Sequence, residues 1–149
     1  MRIAVAADHA GFALKEHVKE LLEAEGHEVL DAGPETEEPV DYPLTAAQAA
    51  RQVGEGEAHA GVLVCGSGVG VSIVANKVDG VRAVHAHDPG EAEMARRHND
   101  ANVLTLAGRR LSGDQADDIV HAFLGTDFEG GRHARRVGQI TELERNETP

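Results

Sequence analysis

The first apolar run, RIAVAA from Arg2 to Ala7, has no polar break after its opening arginine. An unbroken run this short predicts a strand covered on both faces. Leu14, Val18, Leu21 and Leu22 then recur at the spacing of one helical face, with Gly26 placed to end that helix before a second strand, HEVLD. An alanine-rich helix is predicted within Leu44 to Val53, followed by a third strand, AGVLVC, and a helical run within Val69 to Lys77. VRAVHA reads as strand four, Glu91 to Arg97 as a helix and NVLTLAG as strand five. Ala116, Ile119, Val120, Phe123 and Leu124 again share one helical face.

The order alternates strand and helix throughout, which predicts one α/β domain over residues 1–149 with a mostly parallel five-stranded sheet between helical layers. A last helix is predicted across 130–146, with Val137, Ile140 and Leu143 on one face and a short polar tail beyond. Periodicity leaves open whether that face closes over its own domain or packs on a partner subunit. GPETEEPVD, Gly33 to Asp41, reads as an exposed loop. Ligands of such sheets bind beyond the carboxyl ends of the strands. That edge is where Asp8 and His9 follow strand one, Cys65 to Gly70 follow strand three and Arg109 follows strand five.

Composition narrows the function. Fourteen Lys and Arg against 26 Asp and Glu give a formal net charge of -12, which argues against nonspecific nucleic-acid or anionic-membrane binding. Arg132, Arg135 and Arg136 are a local basic exception, sufficient for a phosphate. The single cysteine excludes an internal disulfide and fits a reducing cytosol, so a cytoplasmic location is expected. MRIAVAADHAGF resembles neither a secretory signal nor a membrane-spanning start. With three Phe, one Tyr and no Trp, base-stacking platforms are not expected.

The chemistry centres on VLVCGSGVGVSIVANK, Val62 to Lys77. Its glycine spacing resembles a dinucleotide fingerprint but follows the third strand rather than the first. GxxxxGK[ST] is absent, no second cysteine supports a redox pair, and Ser67 sits in GSG rather than GxSxG. HAHD, with His85 and His87, lacks a compact Cys/His metal scheme. An anion or oxyanion cradle survives these comparisons, because glycines let backbone N–H groups approach a ligand. Cys65 is then either an acid–base group or nucleophile, or an inert thiol at a strand end. Asp8 and His9 can be cap and loop residues, Tyr42 a loop anchor, and His98 and Asn99 simply the end of a helix. Arg109 can pair with an acid, while Arg132 and Arg136 stand four apart and can grip one phosphate.

Taken in order, AADHAGFALK, DYP, VCGSGVGVSIVANK, RRHNDANVL and EGGRHARRV resemble the ribose-5-phosphate isomerase B family, which includes galactose-6-phosphate isomerase subunits. The resemblance runs from Arg2 into the terminal helix. It implies a three-layer Rossmann-like domain, a homodimer or dimer of dimers with sites at the interface, and aldose–ketose isomerisation of a phosphorylated sugar without metal or organic cofactor. By the same resemblance Cys65 is the enediol-forming base, Val69 standing where a serine-bearing branch has glutamate. Ser67 orients the reacting oxygens, and the amides of Gly66, Ser67, Gly68, Val69 and Gly70 form the anion hole. Asp8 and His98 open the sugar ring, His98 from the neighbouring subunit. Asn99 and Tyr42 contact substrate, His9, Arg109, Arg132 and Arg136 hold the phosphate, and Lys77 organises the loop or helix. Ribose 5-phosphate is the expected substrate, with a tetrose or hexose phosphate as runner-up. A non-catalytic sugar-phosphate binder is a third reading.

Overall fold

A computed structural model describes residues 1–146, so the expected polar tail lies outside the described residues. Strands β1 (Arg2–Ala7), β2 (Glu28–Asp31), β3 (Ala60–Cys65), β4 (Ala83–His85) and β5 (Val103–Ala107) form one sheet. Its order is β2-β1-β3-β5-β4 and every pairing is parallel, with Ile3 opposite Ala60 and Gly61 opposite Val103. The chain leaves β1 toward β2 and later returns to its other side with β3. A crevice therefore opens at the carboxyl ends of β1 and β3.

Helices α1 (Phe12–Ala24), α2 (Tyr42–Gly54), α3 (Val69–Ala75), α4 (Pro89–Asn99), α5 (Gly113–Gly125) and α6 (Arg132–Asn146) complete the fold. Alternation along β1 divides the core in two. Ile3, Val5 and Ala7 pack with Leu14, Val18 and Leu22 of α1, Ala92 of α4, and Ile119 and Phe123 of α5. Ala4 and Ala6 face the small side chains Ala46, Ala49 and Ala50 of α2 and Val71 and Ala75 of α3. β3 is buried along its full length, as its unbroken apolar run predicted.

The element ends have local causes. Gly26 has φ +84°, and His27 N–H donates to Leu22 O at 3.0 Å, so the glycine turns the chain out of α1 as expected. Helix α4 begins two residues before the predicted Glu91, because Asp88 accepts a bond from Glu91 N and Pro89 occupies the first turn. Strand β4 is shorter than VRAVHA. Asn102 Oδ1 accepts from Arg82 N at 2.8 Å and Asn76 Oδ1 from Ala83 N at 2.9 Å, so side chains replace the ladder at its start. The same Asn76 stops α3 before Lys77.

Helix α6 packs against α4 of its own domain, and Glu144 accepts bonds from Gly80 N at 3.1 and 3.2 Å. Ile140 and Leu143 remain 39% and 63% exposed. None of the helices among the described residues is long and apolar enough to cross a membrane.

Candidate active site

The loop after β3 is built around its sulfur. Cys65 is 4% exposed, and the N–H of Gly68 donates to its Sγ at 3.1 Å. That return requires Gly68 at φ +77°, where the ring of His85 lies so close that a Cβ would fall 2.3 Å from Cε1. Burial lowers the pKa of His85, which is also held at 3.1 Å from the carbonyl of Thr105. Ser67 is exposed, and its Oγ accepts from Val69 N at 3.3 Å.

Neighbouring loops converge on this turn. Asp8 is 9% exposed, and its Oδ1 accepts from Gly11 N at 2.8 Å; Asp8 N in turn donates to Val64 O at 3.3 Å. Gly11 is needed because a Cβ there would stand 2.5 Å from Val64 O, so α1 begins directly against β3. Val40 N donates to His9 Nδ1 at 3.4 Å, tying the acidic loop to the end of β1. Gly108 N donates to Cys65 O and Arg109 N to Gly66 O. The guanidinium of Arg109 lies over Gly66, whose missing Cβ would be 3.0 Å from Nη1. Tyr42 lies against Gly70 in the same manner, 2.7 Å from a Cβ to Cζ. Asp8, His9, Tyr42, Cys65, the Gly66–Gly70 amides and Arg109 are thus assembled at one edge of one chain.

His98, Asn99, Arg132 and Arg136 belong to the other edge. Helix α4 starts beyond the carboxyl end of β4 and runs back, so that Asn99 O meets Arg82 Nε at the start of β4, 2.9 Å away. Helix α5 returns likewise, and Arg96 Nε donates to Thr126 O just before α6. A strand of five residues, the length of β5, spans about 15 Å, so His98 cannot meet Cys65 of its own chain. A cleft of about 820 Å³ at this second edge is lined by Lys77, Arg82, Asn99, Ile140 and Leu143 and does not include Cys65. Lys77 therefore belongs with the second edge rather than the thiol loop.

The second edge holds one cluster that sequence spacing did not reveal. The rings of His98 and His133 stack with centroids 4.3 Å apart and planes 8° off parallel. Glu129 Oε2 stands 4.0 Å from His98 Nε2 and 3.7 Å from His133 Nε2. Restricted hydration, then the neighbouring His98 and the charges of Arg132 and Arg136, lower the His133 pKa. The one sequence signal for it is the four-residue interval from Glu129 to His133.

Fold and thiol loop together define a parallel α/β enzyme of the sugar isomerase type. The sequence model of the Ribose/Galactose Isomerase family matches residues 3–140, and the chain belongs to that family. It is 46% identical over 143 residues to ribose-5-phosphate isomerase B of Escherichia coli strain K12, covering 96% of each chain. The structure of Clostridium thermocellum ribose-5-phosphate isomerase B superposes with a TM-score of 0.97 at 44% identity, covering 99% of this chain and 100% of the other. D-erythrulose-4-phosphate isomerase of Pectobacterium atrosepticum is 38% identical, covering 99% of this chain and 97% of that protein.

Proposed function

We propose that the chain interconverts D-ribose 5-phosphate and D-ribulose 5-phosphate through a cis-enediolate. The observation that carries this reading is the Cys65 thiol at the rim of a glycine-rich turn, its sulfur fixed by a 3.1 Å bond from Gly68 N–H. Similarity to ribose-5-phosphate isomerase B over nearly the whole chain supports the choice of sugar.

In this mechanism Asp8 and His98 move the protons that open the furanose. Thiolate at Cys65 takes the proton from C2 of the aldose and returns it to C1, while the hydroxyl proton passes from O2 to O1. Negative charge on the intermediate is held by the amides of Gly66, Ser67 and Gly70, while Gly68 N–H stays on the sulfur and Val69 N–H on Ser67 Oγ, whose hydroxyl orients the oxygens. One base suffices because C1 and C2 are adjacent, so proton transfer needs neither metal nor organic cofactor. His9, Arg109, Arg132 and Arg136 hold the phosphate, and Tyr42 and Asn99 bind hydroxyls, which orients the carbons over sulfur.

The separation of the two edges requires a second copy. We assign the functional unit as a homodimer, alone or doubled, in which His98, Asn99, Arg132 and Arg136 of one chain complete the Cys65 edge of the other. Leu44 on α2 and Val69 and Ile73 on α3 are 70%, 49% and 57% exposed beside that edge, an apolar surface suited to burial between copies. A cytoplasmic location fits the single reduced thiol.

A tetrose phosphate is the second reading, favoured by similarity to the D-erythrulose-4-phosphate isomerase. Aldose–ketose conversion measured across pentose, tetrose and hexose phosphates tests the assignment. The highest kcat/KM is expected with ribose 5-phosphate; a higher value with a tetrose phosphate replaces the substrate, and binding without conversion of any sugar removes the enzymatic reading.

A further inference from the structure

We propose that His98, Glu129 and His133 form a binding site for a zinc-type divalent cation, and that its occupation blocks the isomerase by taking the imidazole of His98. Their ligand atoms lie within 4.8 Å of one another. Both Nε2 atoms face the same carboxylate oxygen, at 4.0 and 3.7 Å, which is too long for hydrogen bonds. Ligands about 2.0 to 2.1 Å from a tetrahedral zinc ion stand roughly 3.3 Å apart, so closing the site draws the carboxylate oxygen in by about half an ångström and requires the stacked rings to turn until their in-plane lone pairs meet.

Local structure permits that contraction. His133 is only 7% exposed, and neither its ring nor that of His98 has a hydrogen bond among the described residues. Its ring is stacked parallel on that of His98 and both Nε2 atoms approach Glu129 Oε2, so a turn of the partly exposed His98 ring is what brings the two in-plane lone pairs onto one ion. The third ligand is the adjustable one: the Glu129 side chain is 51% exposed, while its N–H is anchored to Arg97 O at 3.1 Å. Gly130 and Gly131, with φ +66° and +57°, then turn the chain into α6 and set His133 beside the carboxylate.

The donor set selects the ion. Two imidazoles and one carboxylate suit Zn²⁺, Cu²⁺ or Ni²⁺ rather than Mg²⁺ or Ca²⁺, which prefer oxygen shells, and leave an open position for water. The charges of Arg132 and Arg136 act on His133 and oppose a cation, so the site is weaker than a structural zinc site, and added salt tightens it by screening them. Binding requires only the cluster, whereas inhibition rests additionally on the proposed role of His98 in ring opening.

Isothermal titration of EDTA-treated, dialysed protein with Zn²⁺ tests both parts. One saturable site per chain is expected in the wild type and in Cys65→Ser, with affinity reduced at least about 10-fold in His133→Gln and in Glu129→Gln. Since Glu129 is exposed, Glu129→Gln preserves the test even where His133→Gln fails to fold. Turnover is expected to fall as Zn²⁺ saturates, to recover with EDTA, and to need correspondingly more Zn²⁺ in Glu129→Gln. Absence of saturable uptake, equal uptake in both cluster variants, or loss of uptake in Cys65→Ser overturns the site. Zinc bound at the cluster with undiminished turnover overturns the blocking step and the ring-opening role of His98 instead.

Discussion

The backbone N–H of Gly68 donates to Sγ of Cys65 at 3.1 Å, so the residue that shapes the loop also fixes its sulfur. Gly68 holds φ +77°, and a Cβ there would lie 2.3 Å from Cε1 of His85 and 2.9 Å from the carbonyl carbon of Leu106. Gly68→Ala therefore combines left-handed strain with overlap against backbone. The expected cost is about 2 to 5 kcal/mol in urea unfolding, with turnover reduced further because the loop that carries the sulfur must shift.

Removing the sulfur alone separates chemistry from folding. Cys65 is small, and deleting one atom leaves little void. Cys65→Ala is expected to lower kcat by about 10²- to 10⁴-fold, the range for a lost general base. KM should change far less, because the phosphate contacts are untouched. Steady-state kinetics on the purified variant decide this, and near-normal turnover refutes the base assignment.

The buried ammonium of Lys15 supplies a prediction about stability. Lys15 is 1% exposed, and its Nζ donates to both oxygens of Asp31 at 3.0 Å and to Pro34 O at 2.7 Å; Glu16 Oε1 lies 2.9 Å away. Asp31→Asn leaves that charge underpaired in the interior, at an expected cost of about 3 to 5 kcal/mol in denaturant unfolding. A loss below 1 kcal/mol would mean that Glu16 and the Pro34 carbonyl suffice.

Strand and helix order was legible in the sequence because parallel strands covered on both faces read as unbroken apolar runs, as β1 and β3 do. The grouping of Asp8, Cys65 and Arg109 also followed, since each stands at or just beyond the end of a strand and parallel strands end on one edge. Contacts decided by crossovers were not legible. His85 beside Gly68, Asn76 trimming both α3 and β4, and the stack of His98 on His133 all join residues whose separation in sequence has no period. Glu129 is an exposed loop acid until the return of α5 brings its segment to the end of α4.

The acid dependence of stability follows from three shifted groups. His85 and His133 have folded pKa values below their ordinary 6.5, chiefly through burial. The unfolded chain therefore binds more protons as pH falls below about 6.5, and stability declines from there down to the folded values. For Asp31, burial pushes the carboxyl up, but bonds from Lys19, Gly33 N and Lys15 outweigh it and hold the pKa below 3.8. Its contribution is present above the unfolded value and is lost as pH drops through the folded one. Thermal unfolding should show two declines on acidification, and His133→Asn should flatten the first.

Placement of Cys65 and His98 at opposite edges makes the shared site testable by mixing two inactive chains. Suppose the Cys65→Ala chain pairs with the His98→Asn chain in a two-fold dimer. One composite site then carries both lesions, while the other receives an intact Cys65 from one chain and an intact His98 from its partner. Random reassembly makes about half the dimers mixed, each with one competent site of two, so about a quarter of wild-type activity is expected. A site completed within one chain gives no recovery, because every site retains one lesion. Differently tagged chains establish that mixed dimers have formed, and an inactive, verified mixed dimer defeats the assignment of His98 to the partner's site.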